Sequence, residues 1–184
     1  MRALSLIWLG LLLASCASTP QLVQRPGAQD APFTLNGRIA ISQPARHDSA
    51  GLRWTHSPEQ DEVLLLAPLG QVVARIQGDA SGVTLEADGR LHVAADAETL
   101  TEEMLGWRLP LSGLRYWVTG VPAPQGTFES EYDAAGRLSR LAQQGWIIRY
   151  TRYAGAQRDA LPLRLSMQRA GMEVRLVIDE WEMR

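Results

Sequence analysis

The residue with the most sharply defined chemistry is Cys16, the only cysteine in the chain. It follows Leu13-Ala14-Ser15, where small side chains suit a peptidase that cuts just before the thiol, leaving that thiol free to act as the nucleophile that takes up lipid. A lone cysteine elsewhere in an exported protein would read as a buried or unpaired thiol. Here the preceding run Ala3 to Ala14, mostly apolar and behind Met1-Arg2, reads as a signal-peptide core. It is too short for a bilayer core of about 30 Å, which needs about 20 apolar residues. The expectation is a signal peptide over residues 1–15 and a diacylglyceryl, N-acylated cysteine at position 16. Several acyl chains, at roughly 0.8 kcal/mol per buried methylene, exceed the one-chain limit of reversible membrane binding. Ala17, where an aspartate would favour retention in the inner membrane, favours the outer membrane, periplasm-facing.

The other reactive side chains form no constellation. His47 is read as a loop residue beside Arg46 and Asp48, His56 lies at a strand end and His92 inside a strand, without metal-ligand spacing. All three are expected to be solvated or at an edge. The GxSxG, GxGxxG and GxxxxGK[ST] patterns are absent. Glu102-Glu103 and Asp179-Glu180 read as solvated faces. No enzyme, metal or cofactor beyond the covalent lipid is expected. With 18 basic and 20 acidic residues interspersed, a net charge of −2 gives no reason to expect nucleic acid.

The elements that would position a site begin after a tether. Residues 16–32 carry the cysteine and three prolines, Pro20, Pro26 and Pro32, with no sustained apolar period, which suits a solvated linker. Residues 33–184 are one domain's worth of chain. Period-two runs are expected to form strands at Phe33–Ser42, Ala50–Ser57, Asp61–Ala67, Val72–Gln77, Gly82–Ala87 and Leu91–Ala95. A capping box at Thr99 and Glu102 and an apolar stripe at Leu111, Leu114, Trp117 and Val118 predict two short helices. Strands resume at Thr127–Asp133, Arg137–Gln143, Trp146–Tyr153, Leu161–Arg169 and Met172–Met183. About eleven antiparallel strands should curl into a barrel or partial barrel, a mainly β fold with two mid-chain helices. Alternation alone assigns Ile41, Leu52, Trp54, Leu65, Ile148, Tyr150, Leu165, Leu176 and Ile178, with Leu111, Leu114 and Trp117 of the helices, to an apolar interior. In a closed domain they are core; in a half-open one they could line a pocket for lipid chains. Pro68-Leu69-Gly70 is a turn between two apolar strands, its leucine either folded onto the core or exposed as an apolar probe.

Several segments together resemble the LolB family of outer-membrane receptors for lipoproteins. They are Leu35-Asn36-Gly37-Arg38-Ile39-Ala40, Leu64 to Gly70, the stretch from Gly106 to Pro122, and the closing Ile178-Asp179-Glu180-Trp181. The resemblance covers roughly Phe33 to Arg184 and implies an unclosed, strongly curved half-barrel whose apolar cavity is lidded by helices. It implies a partner, a LolA-like periplasmic carrier, from which lipoprotein acyl chains pass into this cavity and then into outer-membrane phospholipid. It gives Pro68, Leu69 and Gly70 the role of a membrane-insertion loop, and a monomer is expected. The family's usual helix between tether and first strand has little room among these prolines, which points to a smaller lid. The rival reading is a lipid-anchored, solid-cored β module of an outer-membrane assembly.

Overall fold

The computed structural model describes residues 31–183; Cys16, the signal peptide and nearly all of the tether lie outside the described residues. Eleven strands follow one another with two helices between the sixth and seventh. They are β1 (Phe33–Gln43), β2 (Arg46–His56), β3 (Gln60–Leu66), β4 (Val72–Asp79), β5 (Gly82–Ala87), β6 (Arg90–Ala94), α1 (Ala97–Leu105), α2 (Leu111–Trp117), β7 (Phe128–Tyr132), β8 (Leu138–Gln143), β9 (Trp146–Tyr153), β10 (Pro162–Arg169) and β11 (Met172–Met183). All pairings are antiparallel, in the order β6-β5-β4-β3-β2-β1-β11-β10-β9-β8-β7. The sheet is thus two meanders joined where β1 meets β11, and β6 and β7 are edges that do not pair with each other. The half-barrel is open.

Tight turns explain why neighbours in sequence are neighbours in the sheet. Asp88 and Gly89 both take positive φ, 51° and 71°, the geometry whose twist matches antiparallel strands. Alternation then sorts side chains by face. Leu35, Ile39, Trp54, Ile76, Leu85, Leu141, Ile148, Leu165 and Leu176 are buried in one contiguous apolar cluster on the concave side. Phe33 closes one end, edge-on to Trp54 and Trp181 with ring centroids 5.2 and 5.4 Å away. All core residues among those described fall between Phe33 and Trp181, and every strand finds its partner within the same span. Among the described residues each strand is thus paired and the buried cluster is contiguous.

Three local expectations change. The first helix starts earlier than the Thr99 box: Asp96 is the N-cap, and its carboxylate accepts from Thr99 N at 2.8 Å. Thr101 is instead an internal buried link, its hydroxyl accepting from Leu109 N at 2.9 Å. His47 is in β2, opposite Ser42, rather than in a loop. A run of polar residues, Arg46 to Ser49, hid the start of that strand, which is held by ladder bonds rather than by burial. His56 is buried, not solvated, and its Nδ1 lies 2.8 Å from Asp61 Oδ1.

Candidate functional site

Two features stand apart from ordinary core and surface. The first is the turn after β3. Gly70 N donates to Ala67 O and Ala67 N to Gln71 O, both at 2.8 Å, so Pro68 and Leu69 form the tip of a closed turn. Gly70 takes φ 85°, which lets the chain reverse there without a Cβ clash. Leu69 is 87% exposed, the most exposed of the large apolar side chains among the described residues. It does not fold back onto the core. Val72 and Val73, just beyond it, are about half exposed, at 48% and 49%.

The second feature is the concave face and what covers it. All twelve interior residues expected from alternation, Ile41, Leu52, Trp54, Leu65, Leu111, Leu114, Trp117, Ile148, Tyr150, Leu165, Leu176 and Ile178, belong to the same buried cluster. Helix α2 lies across this face. Arg115 Nη1 reaches to 3.9 Å from Asp61 Oδ2 on β3, and Trp117 at the other end donates from Nε1 to Gln143 Oε1 on β8 at 2.9 Å. Tyr150 of β9 donates to Trp117 O at 2.9 Å. Gln143 is buried and holds four bonds: its Oε1 also accepts from Ala123 N, and its Nε2 donates to Ala123 O and Gln125 O. One amide thus pins both α2 and the segment that follows it. Helix α1 packs beside β5 and β6.

In this arrangement the interior is filled. Trp117, Ile148 and Leu176 have no accessible surface, and a side chain with none borders no space wide enough for a water molecule. At these three positions the space against the sheet is occupied by the chain's own side chains. Open space lies at the mouth instead, a groove of about 750 Å³ between the β2–β3 and β4–β5 turns and the two helices, lined among others by Asp61, Val83, Ala97, Arg108, Leu111 and Arg115. Asp61 is the polar centre there, accepting from Trp54 Nε1 at 2.8 Å as well as contacting His56. The Arg115 Nε is buried without a hydrogen-bond partner.

Neither Gln143 nor the Trp54–His56–Asp61 cluster was singled out from the sequence. The one available signal was that Trp54, His56 and Asp61 each alternate inward next to a tight β2–β3 turn, where an inward acid requires a donor. Among the described residues no group of three or more potential ligands could hold a metal ion. No helix among them is long and apolar enough to cross a membrane.

Comparison with known proteins agrees with this geometry. The family described as "Outer membrane lipoprotein LolB" matches residues 31–181. An outer-membrane lipoprotein LolB of Chromobacterium violaceum is 42% identical over 98% of this chain and 99% of its own length. One from Thiobacillus denitrificans is 40% identical over 97% of this chain and 94% of its own. Among solved structures, a putative outer membrane lipoprotein-sorting protein domain from Vibrio parahaemolyticus superposes with a TM-score of 0.54, covering 87% of this chain and 88% of that one, at 8% identity. That likeness is one of fold.

Proposed function

Because the chain belongs to the LolB family of outer-membrane lipoproteins, we propose that it receives lipoproteins from a LolA-like periplasmic carrier and inserts them into the inner leaflet of the outer membrane. On this reading the signal peptide is removed, and Cys16 carries the diacylglyceryl and N-acyl lipid that tethers residues 33–184 to that membrane. The supporting observation is the pairing of a continuous apolar concave face with a cover of two short helices, of which α2 is held to the sheet by single hydrogen bonds to Gln143 and Tyr150 and by the Arg115–Asp61 contact. Acyl chains enter when α1 and α2 swing away and Leu111, Leu114 and Trp117 exchange their contacts with the sheet for contacts with lipid. The mouth groove is where that opening starts.

Direction needs no nucleotide. Exposing acyl surface to water costs about 25 cal/mol per Å², so a chain of apolar acceptors lowers the barrier, and each step runs downhill if the acceptor binds more tightly than the donor. Leu69 acts at the last step, entering the leaflet and bringing the apolar face close to hydrocarbon. Residues 17–32, fully extended at roughly 3.3–3.6 Å each, reach about 50–60 Å. That exceeds the length of β1, eleven residues long, so the anchor and Leu69 can share one leaflet although Phe33 and the Leu69 turn lie toward opposite ends of the ladder. Transfer of an acylated lipoprotein from loaded carrier to vesicles, with and without this protein, is the test; no acceleration would dismiss the proposal.

The complete burial of Trp117, Ile148 and Leu176 favours one rival, a solid-cored interaction module. It predicts no saturable binding of any acyl probe.

A further inference from the structure

On the convex face, away from α1 and α2, arginines line up across neighbouring strands. Arg149 and Arg152 of β9, Arg164 of β10, Arg175 of β11 and Arg38 of β1 are all exposed, whereas Ile148, Leu165, Leu176 and Ile39 beside them point into the core. The register sets Arg152 opposite Arg164, and Arg149 opposite Arg140 of β8. Like charges placed directly opposite on antiparallel strands destabilise the pair. Carboxylates relieve part of this: Glu131, Asp179 and Glu173 pair with Arg140, Arg38 and Arg175 at 3.4, 2.9 and 2.7 Å. Arg149, Arg152 and Arg164 have no ion-pair partner among the described residues, and Arg149 donates only a long 3.4 Å bond, to Gln168 Oε1. An arrangement that costs stability in isolation is relieved by an anion.

A groove of about 520 Å³ adjoins this stripe. Arg38, Arg164 and Arg175 line it together with the apolar Ala40, Leu66, Pro68 and Val177, and the register sets Val177 between Arg38 and Arg164. Pro68 carries the groove into the turn whose tip is Leu69. Guanidinium beside aliphatic surface that ends in an exposed leucine suits a phospholipid at the interface, with phosphate held by arginine and carbon beneath it. The chain's own length argues the same way, since sixteen tether residues, reaching about 50–60 Å at most, keep the start of β1 within that distance of any lipid carried on Cys16.

We propose that this convex arginine stripe is a docking surface for anionic phospholipid headgroups, which tilts the domain so that Leu69 enters the leaflet. The inference deepens the release step proposed above, yet headgroup binding can be measured without cargo. The protein beginning at Ala17, free of the anchor, is sedimented with vesicles of phosphatidylcholine alone or mixed with phosphatidylglycerol. Binding should be at least about tenfold tighter to the anionic vesicles and should weaken as salt rises. The variant R149Q/R152Q/R164Q should lose about a hundredfold, roughly fivefold per arginine. Its Tm should not fall, because the substitutions remove repulsion at the cost of one long, exposed hydrogen bond from Arg149. Equal binding to both vesicle types, or unchanged binding by the triple variant, would overturn the proposal. So would displacement by inorganic phosphate at the vesicles' own phosphate concentration, which marks a free-anion site, or binding to polyglutamate in place of vesicles, which marks an acidic protein partner. Leu69→Glu separates the two readings: if transfer survives that change while the arginine dependence persists, the release step is wrong and the docking surface stands.

Discussion

Replacing Leu69 with glutamate isolates membrane release from every earlier step. The side chain is 87% exposed at the tip of a turn held by backbone bonds, so folding loses little: a surface change of this kind stays within about 0.5 kcal/mol. For a domain of this size that is a Tm shift within about 2 °C. Release is different. A leucine passing from water into hydrocarbon gains roughly 1.5–3 kcal/mol, and the glutamate forfeits that gain while adding the cost of bringing a carboxylate to the lipid. Transfer to vesicles should slow by about tenfold to a hundredfold, while uptake of cargo from the carrier, read by exchange of a labelled lipoprotein in the absence of membrane, stays within about twofold of the parent. Normal release by Leu69→Glu, or a release defect accompanied by an equal loss of uptake, would refute the assignment of this turn to insertion.

The lid yields further tests. Gln143→Leu removes four hydrogen bonds and leaves the Trp117 and Ala123 donors buried and unpaired, so stability in urea should fall by about 2–4 kcal/mol, with hydrogen exchange rising first in α2. Gly113→Ala would place a Cβ 2.6 Å from the ring of Trp117, one turn on in the same helix, so that ring must shift in its packing against the sheet; a loss of about 1–3 kcal/mol and a Trp117 environment altered in fluorescence are expected. Asp96→Ala removes the cap of α1 and should cost about 1 kcal/mol at neutral pH. Hydrogen bonds from Thr99 hold the Asp96 carboxyl below its ordinary value, so the cap contributes fully above about pH 4 and is lost as pH falls through the lowered value. The gap in Tm between parent and Asp96→Ala should therefore close on acidification, and a gap that persists at low pH would contradict the cap's role.

Strand order within each meander was legible because the pattern was local, whereas the β1–β11 pairing that joins the two meanders was not. Clean alternation at Trp146 to Tyr153 and Met172 to Met183, and Asp-Gly or Ala-Gly turns between runs, define a meander before any long-range contact is known. The strand residues that alternation points inward all belong to one buried cluster, since a one-residue slip would have reversed every face. What stayed hidden depends on partners distant in sequence. Gln143 is an ordinary strand glutamine until Trp117 and Ala123 are brought to it, and the buried state of His56 follows from Asp61 across a turn. The arginine stripe is likewise spread over β9, β10, β11 and β1 and exists only through register. Whether the interior is hollow or filled is set by how side chains from α2 meet the sheet, which periodicity does not encode.

The claim that the filled interior opens to admit acyl chains is tested most directly by photo-crosslinking. A lipoprotein cargo whose acyl chain carries a diazirine near its end is passed from a loaded carrier to the protein beginning at Ala17, irradiated, and the adducts are mapped by mass spectrometry. Adducts on inward residues of several strands and of α2, such as Leu65, Leu114, Ile148 and Leu176, are expected. Adducts confined to exposed positions, such as Leu91, Val93 or Phe128, with the inward residues unlabelled, would contradict the account and favour a solid-cored module.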